Sequence, residues 1–207
     1  LNDSRGFDDA IKKFKIAIQI DPKFELAWNG MGGSYESKGE LGPALNSYIR
    51  ATTLNNNYAY PWNGWGDILL KKGDLDGAIA KYRRSTALPP RGWYPWSGWG
   101  DALVLKGDFE GAIDKYQFAI HIDPDAFSPW NSWSPWIGWG TALCLSHNKA
   151  GAIRKYEHAM ALQPSLVMKL ATAVDELKKL KTDSVGQCIP IRGLKLPASI
   201  SAAVKQG

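Results

Sequence analysis

Cysteine, histidine and long apolar runs are scarce in this sequence, and each scarcity excludes a class of protein. The two cysteines, Cys144 and Cys188, are isolated, and the three histidines form no cluster with them. A disulfide framework and a structural zinc site are therefore not expected. No apolar stretch approaches the roughly 18 residues that a transmembrane helix needs, and no signal peptide is recognisable.

These absences say little about the compartment. They favour a cytoplasmic location slightly, because the sequence shows neither an export signal nor a disulfide pattern. The chain begins with Leu1 rather than Met, so we expect a fragment or a processed form, and an exported protein stays open. A hydrophobic content of 44% and ten tryptophans exclude general disorder, and the net charge of +5 is mild.

A block rich in tryptophan and glycine recurs along the chain. It reads YPWNGWG at 60–66, YPWSGWG at 94–100 and SPWIGWG at 134–140, with a weaker copy, AWNGMG, at 27–32. Its last glycine lies at 32, 66, 100 and 140, so the steps are 34, 34 and 40 residues. Self-similarity at such a period indicates a repeat architecture.

A second recurring block predicts a turn between two helices. Its clearest forms are KKGDLDGAI at 71–79 and LKGDFEGAI at 105–113. The first glycine suits the end of one helix, and the acid after it suits the start of the next. A B-helix aromatic follows in register in every unit, at Phe14, Tyr48, Tyr82, Tyr116 and Tyr156. Each unit is therefore predicted to be two short helices, A and B.

These residues resemble the tetratricopeptide repeat over roughly 1–164. In the clearest unit the matching residues are Trp62, Trp65, Gly66, Leu69, Ala78, Tyr82, Ser85 and Pro90. The resemblance implies an all-α fold, a right-handed superhelical α-solenoid of helix-turn-helix repeats. The sequence departs from the family in two ways: tryptophan replaces leucine before the glycine, and an extra glycine lies two residues earlier.

The repeat period predicts the following boundaries: a partial first repeat with helix B only at 1–24, repeats at 25–58 and 59–92, a repeat with a six-residue insertion at 93–132, a repeat at 133–164, a capping helix at 165–181 and a non-repeat tail at 182–207. The insertion is a near duplication, SPWNSW at 128–133 before SPWIGW at 134–139. Because proline suits the first turn of a helix, we expect the fifth A helix to begin at Pro135 and the first copy to be an exposed loop.

The sequence predicts which aromatic and basic residues are buried and which are exposed. We expect the consensus tryptophans to be buried between helices: Trp28, Trp62, Trp65, Trp96, Trp99, Trp136 and Trp139. Trp93, Trp130 and Trp133 lie outside the consensus and are predicted to be exposed, as a candidate interface. Lys13, Lys81, Lys115 and Lys155 form a row on helix B. We interpret this row as a solvated face, because no exposed aromatics alternate with it, and we expect no nucleic-acid partner.

Little in the sequence indicates catalysis. His121, His147 and His158 have no partners at a telling spacing, and Cys144 is interpreted as a small apolar filler. Asp67 and Asp101 lie one repeat apart and could form a carboxylate pair, but a repeated polar position is more typical of a binding face. We therefore predict no enzyme activity, no catalytic residues, no cofactor and no metal.

The polar face of the A helices is the candidate binding surface, because the resemblance implies that it lines a concave groove for extended peptides. The predicted ligand-binding residues are Asn29, Tyr60, Asn63, Asp67, Lys71, Tyr94, Ser97, Asp101 and Thr141. A carboxylate clamp for chaperone tails is not expected, since Asn63 with Asp67 and Ser97 with Asp101 replace the Lys and Asn that the family's clamp needs. Four glycines on this face are expected to let a ligand backbone approach: Gly30, Gly64, Gly98 and Gly138.

The predicted function is a non-enzymatic scaffold that binds a peptide or partner protein in this groove. One alternative is a structural protein that assembles head to tail into homo-oligomers, because the repeats begin with an unpartnered B helix at 7–20 and end with an A-like helix. Another is the docking arm of a larger enzyme. Carbohydrate binding is disfavoured because the core needs the tryptophans. Apolar residues of the tail, among them Ile189 and Leu196, are a candidate occupant of the groove of their own chain or of a neighbour.

Overall fold

The structure is a computed structural model, and it describes residues 4–127 and 134–179. Within these ranges it contains ten α-helices and no strand, which confirms the all-α fold. The predicted loop at 128–133, with Trp130 and Trp133, and the tail at 182–207 lie outside the described residues. The helices are α1 (Ser4–Ile20), α2 (Glu25–Ser37), α3 (Leu41–Leu54), α4 (Ala59–Lys71), α5 (Leu75–Thr86), α6 (Tyr94–Lys106), α7 (Phe109–Ile122), α8 (Pro135–Leu145), α9 (Lys149–Leu162) and α10 (Val167–Lys179), with a 3₁₀ turn at Pro164–Leu166 before the last.

The chain divides into two compact units, Leu1–Arg91 and Gly92–Gly207. In the N-terminal unit, α1 packs on α2, and two helical hairpins follow, α2 with α3 and α4 with α5. In the C-terminal unit, the hairpins are α6 with α7 and α8 with α9, α7 also packs on α8, and α10 packs on α9. The A helices are α2, α4, α6 and α8, and each precedes the B helix of its own hairpin. As predicted, α8 begins at Pro135.

The turn between helices A and B forms as the second sequence block predicts. Gly107 ends α6 in the left-handed conformation, with φ of 85°, and Gly73 has φ of 81° at the end of α4. A side chain without Cβ avoids the steric cost of this backbone conformation. Asp74 and Asp108 then cap α5 and α7 by accepting a hydrogen bond from a backbone N–H three residues later.

The extra glycines Gly64 and Gly138 each form one wall of a slot for the aromatic side chain of the preceding B helix. Tyr116 of α7 lies between Gly100 of its own A helix and Gly138 of the next, and a Cβ at either glycine would lie under 3.0 Å from the tyrosine side chain. Tyr48 lies in the same way between Gly32 and Gly64. The slot lets consecutive A helices pack on both sides of a ring that is almost completely buried.

The prediction that the extra glycines open the groove to a ligand backbone was therefore wrong for three of them. Gly64 and Gly138 contact the tyrosines of the preceding B helices, and Gly30 contacts Phe14 of α1. Gly98 is buried. At Gly30, Gly64 and Gly138, the absence of a Cβ atom allows the helices to pack closely and does not open space for a ligand.

The seven consensus tryptophans are half-buried rather than buried. In the last three A helices they stack in parallel pairs, for example Trp62 on Trp65 with ring centroids 5.4 Å apart and Trp136 on Trp139 at 5.7 Å. The fully buried aromatic positions belong instead to the B-helix tyrosines Tyr82, Tyr116 and Tyr156. The core was predicted to contain the tryptophans of the A helices, whereas it contains the tyrosines of the B helices.

Candidate functional site

The A helices α2, α4 and α8 each have three sides, and B helices cover two of them. In α8, Gly138 packs on Tyr116 of α7, and Gly140 packs on Tyr156 of α9. At about 100° per residue, the remaining side of α8 carries Ser134, Ile137, Thr141, Cys144 and Leu145. We call this side the third face. In the other A helices the same register gives Leu26, Asn29, Gly33, Glu36 and Ser37 in α2, Tyr60, Asn63, Asp67, Leu70 and Lys71 in α4, and Tyr94, Ser97, Asp101, Val104 and Leu105 in α6.

All nine predicted ligand-binding residues lie on a third face, but their exposure differs between the two units. In the N-terminal unit, Tyr60 is 54% exposed, Leu26 is 50% exposed, and Asn29 and Asn63 are half-exposed. The edge of the Tyr60 ring meets Tyr58 at a centroid distance of 5.6 Å. The third faces of α2 and α4 thus present an aromatic ring, two amides and an aliphatic side chain to solvent.

A charged network crosses the third faces of α2 and α4. Lys71 Nζ donates to Glu36 Oε1 at 2.7 Å, and the Tyr48 hydroxyl donates to Glu36 Oε2 at 2.8 Å. Burial, and then the charge of Asp67, raises the pKa of Glu36 above its ordinary 4.5, while Lys71 and Tyr48 act in the opposite direction. Glu36 therefore holds α2, α3 and α4 together through one partly desolvated carboxylate.

Asp67 and Asp101 are buried, which corrects their placement on a solvent-facing surface. The Tyr82 hydroxyl donates to Asp67 Oδ1 at 2.6 Å, and the Tyr116 hydroxyl donates to Asp101 Oδ1 at 2.7 Å. Asp67 is 7% exposed and Asp101 is inaccessible. Tyr82 and Tyr116 thus each reach a carboxylate on the A helix of their own hairpin, so these aspartates join the two helices of a hairpin. Thr141 makes the corresponding contact with the Tyr156 hydroxyl at 3.2 Å.

The third faces of the C-terminal unit are almost completely buried. On α8, Ile137 is 3% exposed, Leu145 is 4% exposed and Thr141 is inaccessible. On α6, Ser97 is inaccessible and Tyr94 is half-buried. A ligand could therefore reach Tyr94, whereas Ser97, Asp101 and Thr141 are closed to direct contact.

Cys144 on the third face of α8 is disulfide-bonded, so its interpretation as a simple apolar filler was wrong. Its side chain is 2% exposed. The other cysteine of the sequence, Cys188, lies outside the described residues. Sequence reasoning missed this bond because the two cysteines are far apart and form no motif.

A lysine covers each stacked tryptophan pair, and this contact was not predicted from the sequence. Lys81 Nζ lies 3.8 Å from the Trp65 ring centroid, and Lys155 Nζ lies 3.5 Å from that of Trp139. Burial, and then Arg154, lowers the pKa of Lys155. Lys81, Lys115 and Lys155 of the basic row therefore lie beside half-exposed aromatics, and their ammonium groups occupy the ring faces. Trp93, which was predicted to be exposed, is half-buried against Tyr94 at a centroid distance of 5.5 Å.

Two kinds of feature are missing from the part of the chain that the structure describes. None of its helices is both long and apolar enough to cross a bilayer. Within the same residues, no three carboxylate, imidazole or thiol side chains gather as a metal site would require.

Comparisons with known proteins agree with the repeat architecture. A family model described as tetratricopeptide repeat matches residues 63–127. The chloroplast tetratricopeptide repeat domain-containing protein PYG7 of Arabidopsis thaliana is 38% identical over 50 residues, which cover 24% of this chain and 17% of that protein. Residues 63–127 therefore match the tetratricopeptide repeat family.

Solved structures share the fold at low sequence identity. The APC/C hetero-tetramer Cut9-Hcn1 aligns with a TM-score of 0.73 and 23% identity, over 98% of this chain and 38% of that chain. YrrB, described as a TPR protein with an unusual peptide-binding site, aligns with a TM-score of 0.60 and 15% identity, over 93% of this chain and 97% of that chain. At these identities the likeness shows the helical repeat fold alone.

Proposed function

We propose that this protein is a non-enzymatic scaffold that binds an extended peptide segment of a partner protein on the third faces of α2 and α4. The exposure of Tyr60 and Leu26 beside Asn29 and Asn63 carries this proposal. Binding requires no chemistry on the ligand, because the surface works by shape, amide contacts and apolar burial. Tetratricopeptide repeat proteins bind protein partners, and the structurally similar YrrB has a peptide-binding site of its own.

The exposed side chains match the chemistry of an extended peptide. An asparagine amide offers both a donor and an acceptor, which suits the alternating C=O and N–H groups of a backbone. The buried Oδ1 of Asn63 has no hydrogen-bond partner among the described residues, and turning its amide over would present this oxygen to a peptide N–H. Tyr60 and Leu26 supply apolar contact area on either side of the amides.

Selection from a random peptide library displayed on phage, with the full chain as bait, tests the proposal. We expect selected peptides to lose about ten-fold or more in affinity for Tyr60→Ala and for Asn63→Ala, because an exposed tyrosine and a convergent amide are typical anchors of an interface. Isothermal titration calorimetry measures the change.

Two matched controls separate a local effect from a general one. Phe118→Ala removes an aromatic ring that is 51% exposed on α7, and Asn57→Ala removes an exposed amide outside the third faces. Both should leave the affinity unchanged. Equal losses in all four variants, or no loss with Tyr60→Ala, would contradict the proposal.

A second candidate function, self-association, is favoured by one observation on α1. Ile16 and Ile20 lie one turn apart and are 56% and 81% exposed. If this apolar stripe joins copies of the chain, light scattering over a concentration series should show a species larger than the 22.8 kDa monomer. The double variant Ile16→Glu with Ile20→Glu should then be monomeric. A parent chain that stays monomeric at every concentration rules this candidate out.

A further inference from the structure

One side of α1 is open at positions that are closed in every hairpin. The B helices α3, α5, α7 and α9 each bury the tyrosine, an alanine four residues before it and a small residue three residues after it, and these side chains are at most 5% exposed. In α1 the equivalent residues are Ala10, Phe14 and Ala17, and all three are partly exposed. Each hairpin has an A helix against these positions, whereas among the described residues α1 packs extensively on α2 alone.

Three solvent-exposed side chains lie on the same side of α1. At about 100° per residue, Lys13, Ile16 and Ile20 are neighbours of the two alanines. Ile16 is 56% exposed, Ile20 is 81% exposed, and Lys13 makes no ion pair or ring contact within the described residues. A contiguous apolar patch of this kind marks a contact surface. We call it the open side of α1, and it consists of Ala10, Lys13, Phe14, Ile16, Ala17 and Ile20.

The position of Lys13 indicates which kind of helix fits the open side. Lys13 directly precedes the B-helix aromatic, as the equivalent lysines of α5, α7 and α9 do. Each of those three lysines lies over the second tryptophan of the A helix in its hairpin, with Nζ 3.5 Å to 4.8 Å from the ring centroid. The hairpin with Met31 in place of the second tryptophan has Ser47 in place of the lysine. In this chain the lysine therefore accompanies a tryptophan pair on the facing helix, and α1 has the lysine.

Two further positions of α1 match the same facing helix. Ile16 is the equivalent of Phe118, whose ring stacks on the first tryptophan of its A helix at a centroid distance of 5.0 Å. Phe14 is the equivalent of Tyr116, which packs on Gly100, the glycine directly after the second tryptophan. A Cβ at that glycine would lie 2.8 Å from the tyrosine ring, so the close approach requires glycine.

We propose that the open side of α1 docks one helix of a partner protein that carries the pattern Trp-x-x-Trp-Gly. The glycine of this helix packs on Phe14, the second tryptophan lies under Lys13, and the first tryptophan covers Ile16. The cation–π contact selects the second tryptophan, and the exposed isoleucine side chains supply apolar area to bury. The inference goes beyond the peptide proposed above, because the ligand is helical and docks on a B helix rather than on the third faces.

A second copy of this chain is the alternative occupant, because the self-association considered above would use the same side. In the described residues, each tryptophan pair is already covered by the lysine of its own hairpin. A second copy therefore has no such pair to offer Lys13. The lysine would stay without an aromatic ring in a homodimer, and this favours a helix from another protein.

Fluorescence anisotropy with the full chain and a labelled peptide is the first test. The probe is a synthetic peptide with the sequence AYPWNGWGDILLK, which contains the pattern and forms α4 in this chain. We expect saturable binding that weakens about five-fold with Lys13→Ala and about ten-fold with Ile16→Glu in the protein. Lys15→Ala is the matched control, because this exposed lysine lies on the opposite side of α1, and it should leave the affinity unchanged.

Changes in the peptide test the pattern itself. Trp65→Ala and Gly66→Val in the peptide should each weaken binding about five-fold, whereas Asp67→Asn, outside the pattern, should not change it. Equal affinities of the protein variants Lys13→Ala and Lys15→Ala, or of the three altered peptides, overturn the proposal. Binding that is lost with Tyr60→Ala in the protein but kept with Ile16→Glu also overturns it, because the peptide then occupies the third faces and the function proposed above stands.

A tethered peptide is the second test and detects an interaction that is weak in solution. Joining the same peptide to the start of the chain through about twenty glycine and serine residues raises its effective concentration to about the millimolar range. Hydroxyl-radical footprinting should then show several-fold protection of Ile16 and Ile20 and none of exposed Phe118. Isoleucines that stay as reactive as in the untethered chain overturn the proposal. An untethered chain that dimerises in light scattering and becomes monomeric with Ile16→Glu assigns the open side to a second copy and overturns it as well.

Discussion

In each hairpin, the hydroxyl of the B-helix tyrosine makes a hydrogen bond with a side chain of the A helix. Tyr116 donates to Asp101 at 2.7 Å in an environment closed to water. A hydrogen bond to a carboxylate is stronger than one between neutral groups, and a buried charge that loses a donor is costly. The equivalent contact in the next hairpin, Tyr156 with Thr141, has two neutral partners at 3.2 Å.

This difference between the two contacts predicts that removing the two tyrosine hydroxyls has unequal effects on stability. We expect Tyr116→Phe to lower the free energy of unfolding by about 1.5–3 kcal/mol and Tyr156→Phe by about 0.5–1.5 kcal/mol, because only the first removes a hydrogen-bond donor from a buried carboxylate. Urea unfolding followed by circular dichroism measures both. Equal losses, or a larger loss for Tyr156→Phe, would show that the charge of Asp101 is not what the hydroxyl stabilises.

Glu36 gives a second prediction at this scale, in its response to pH. Burial and Asp67 raise its pKa above 4.5, so the folded protein holds this proton more tightly than the unfolded chain does. The contribution of Glu36 to stability is therefore largest at low pH and declines as pH rises from about 4.5 through the raised pKa. Lys71 opposes the shift, so Lys71→Met should raise the pKa of Glu36 further.

Titration of the Glu36 side chain by nuclear magnetic resonance checks this prediction. Lys72→Met on the exposed end of the same hairpin is the control, since no hydrogen bond or ion pair of Lys72 with Glu36 is present in the described residues. A Glu36 pKa at or below 4.5, or a fall in Lys71→Met, would contradict the assignment of burial as the dominant cause.

At the scale of the element, the glycine slot explains why the repeats depart from the family pattern. The extra glycines Gly30, Gly64 and Gly138 each admit an aromatic side chain from the preceding B helix, and this contact joins consecutive repeats. At Gly138, the ring of Tyr116 occupies the space that a Cβ atom would need. This ring is inaccessible to solvent and has no room to move aside.

Gly138→Ala should therefore destabilise the protein by about 1–3 kcal/mol, because the added methyl overpacks a filled slot. Gly42→Ala in α3 is the control. A Cβ there meets no atom within 4 Å, and alanine in a helix is up to about 1 kcal/mol more favourable than glycine. In thermal unfolding, Gly138→Ala should lower the melting temperature and Gly42→Ala should raise it. An unchanged melting temperature for Gly138→Ala would contradict the close packing of Tyr116 on Gly138.

The elements could be predicted well from the sequence because the repeat period and the turn chemistry are local signals. Asp74 and Gly107 cap and end their helices as their positions predict. The registers of the A helices also placed all nine candidate residues on one side. The residue pattern within one helix does not show which side chains of another helix contact it. For this reason Asp67 and Asp101 were predicted to face solvent, although they are buried against tyrosines of the B helices.

Two regularities in the sequence correspond to the contacts that were not predicted. Both aspartates lie 15 residues before the tyrosine that binds them. A lysine also precedes the B-helix tyrosine in the three units that have a tryptophan pair, whereas the unit with Met31 in place of the second tryptophan has Ser47 there. Such covariation between repeats of one chain indicates contact, although a consensus comparison hides it.

At the scale of the whole molecule, the third faces form an open set and a covered set. The open set comprises the solvent-accessible third-face residues Leu26 and Asn29 of α2 and Tyr60 and Asn63 of α4. The covered set belongs to α8 and includes Ile137 and Leu145. We propose that an extended peptide binds to the open set.

Hydroxyl-radical footprinting of the full chain, with and without a selected peptide, tests this claim most directly. Without peptide, Leu26 and Tyr60 should be oxidised readily, while Ile137 and Leu145 should be protected, because the radical modifies side chains that solvent can reach. With peptide, the oxidation of Leu26 and Tyr60 should fall several-fold and that of exposed Phe118 should not change. A peptide that binds but protects Phe118 and leaves Leu26 and Tyr60 reactive would contradict the claim.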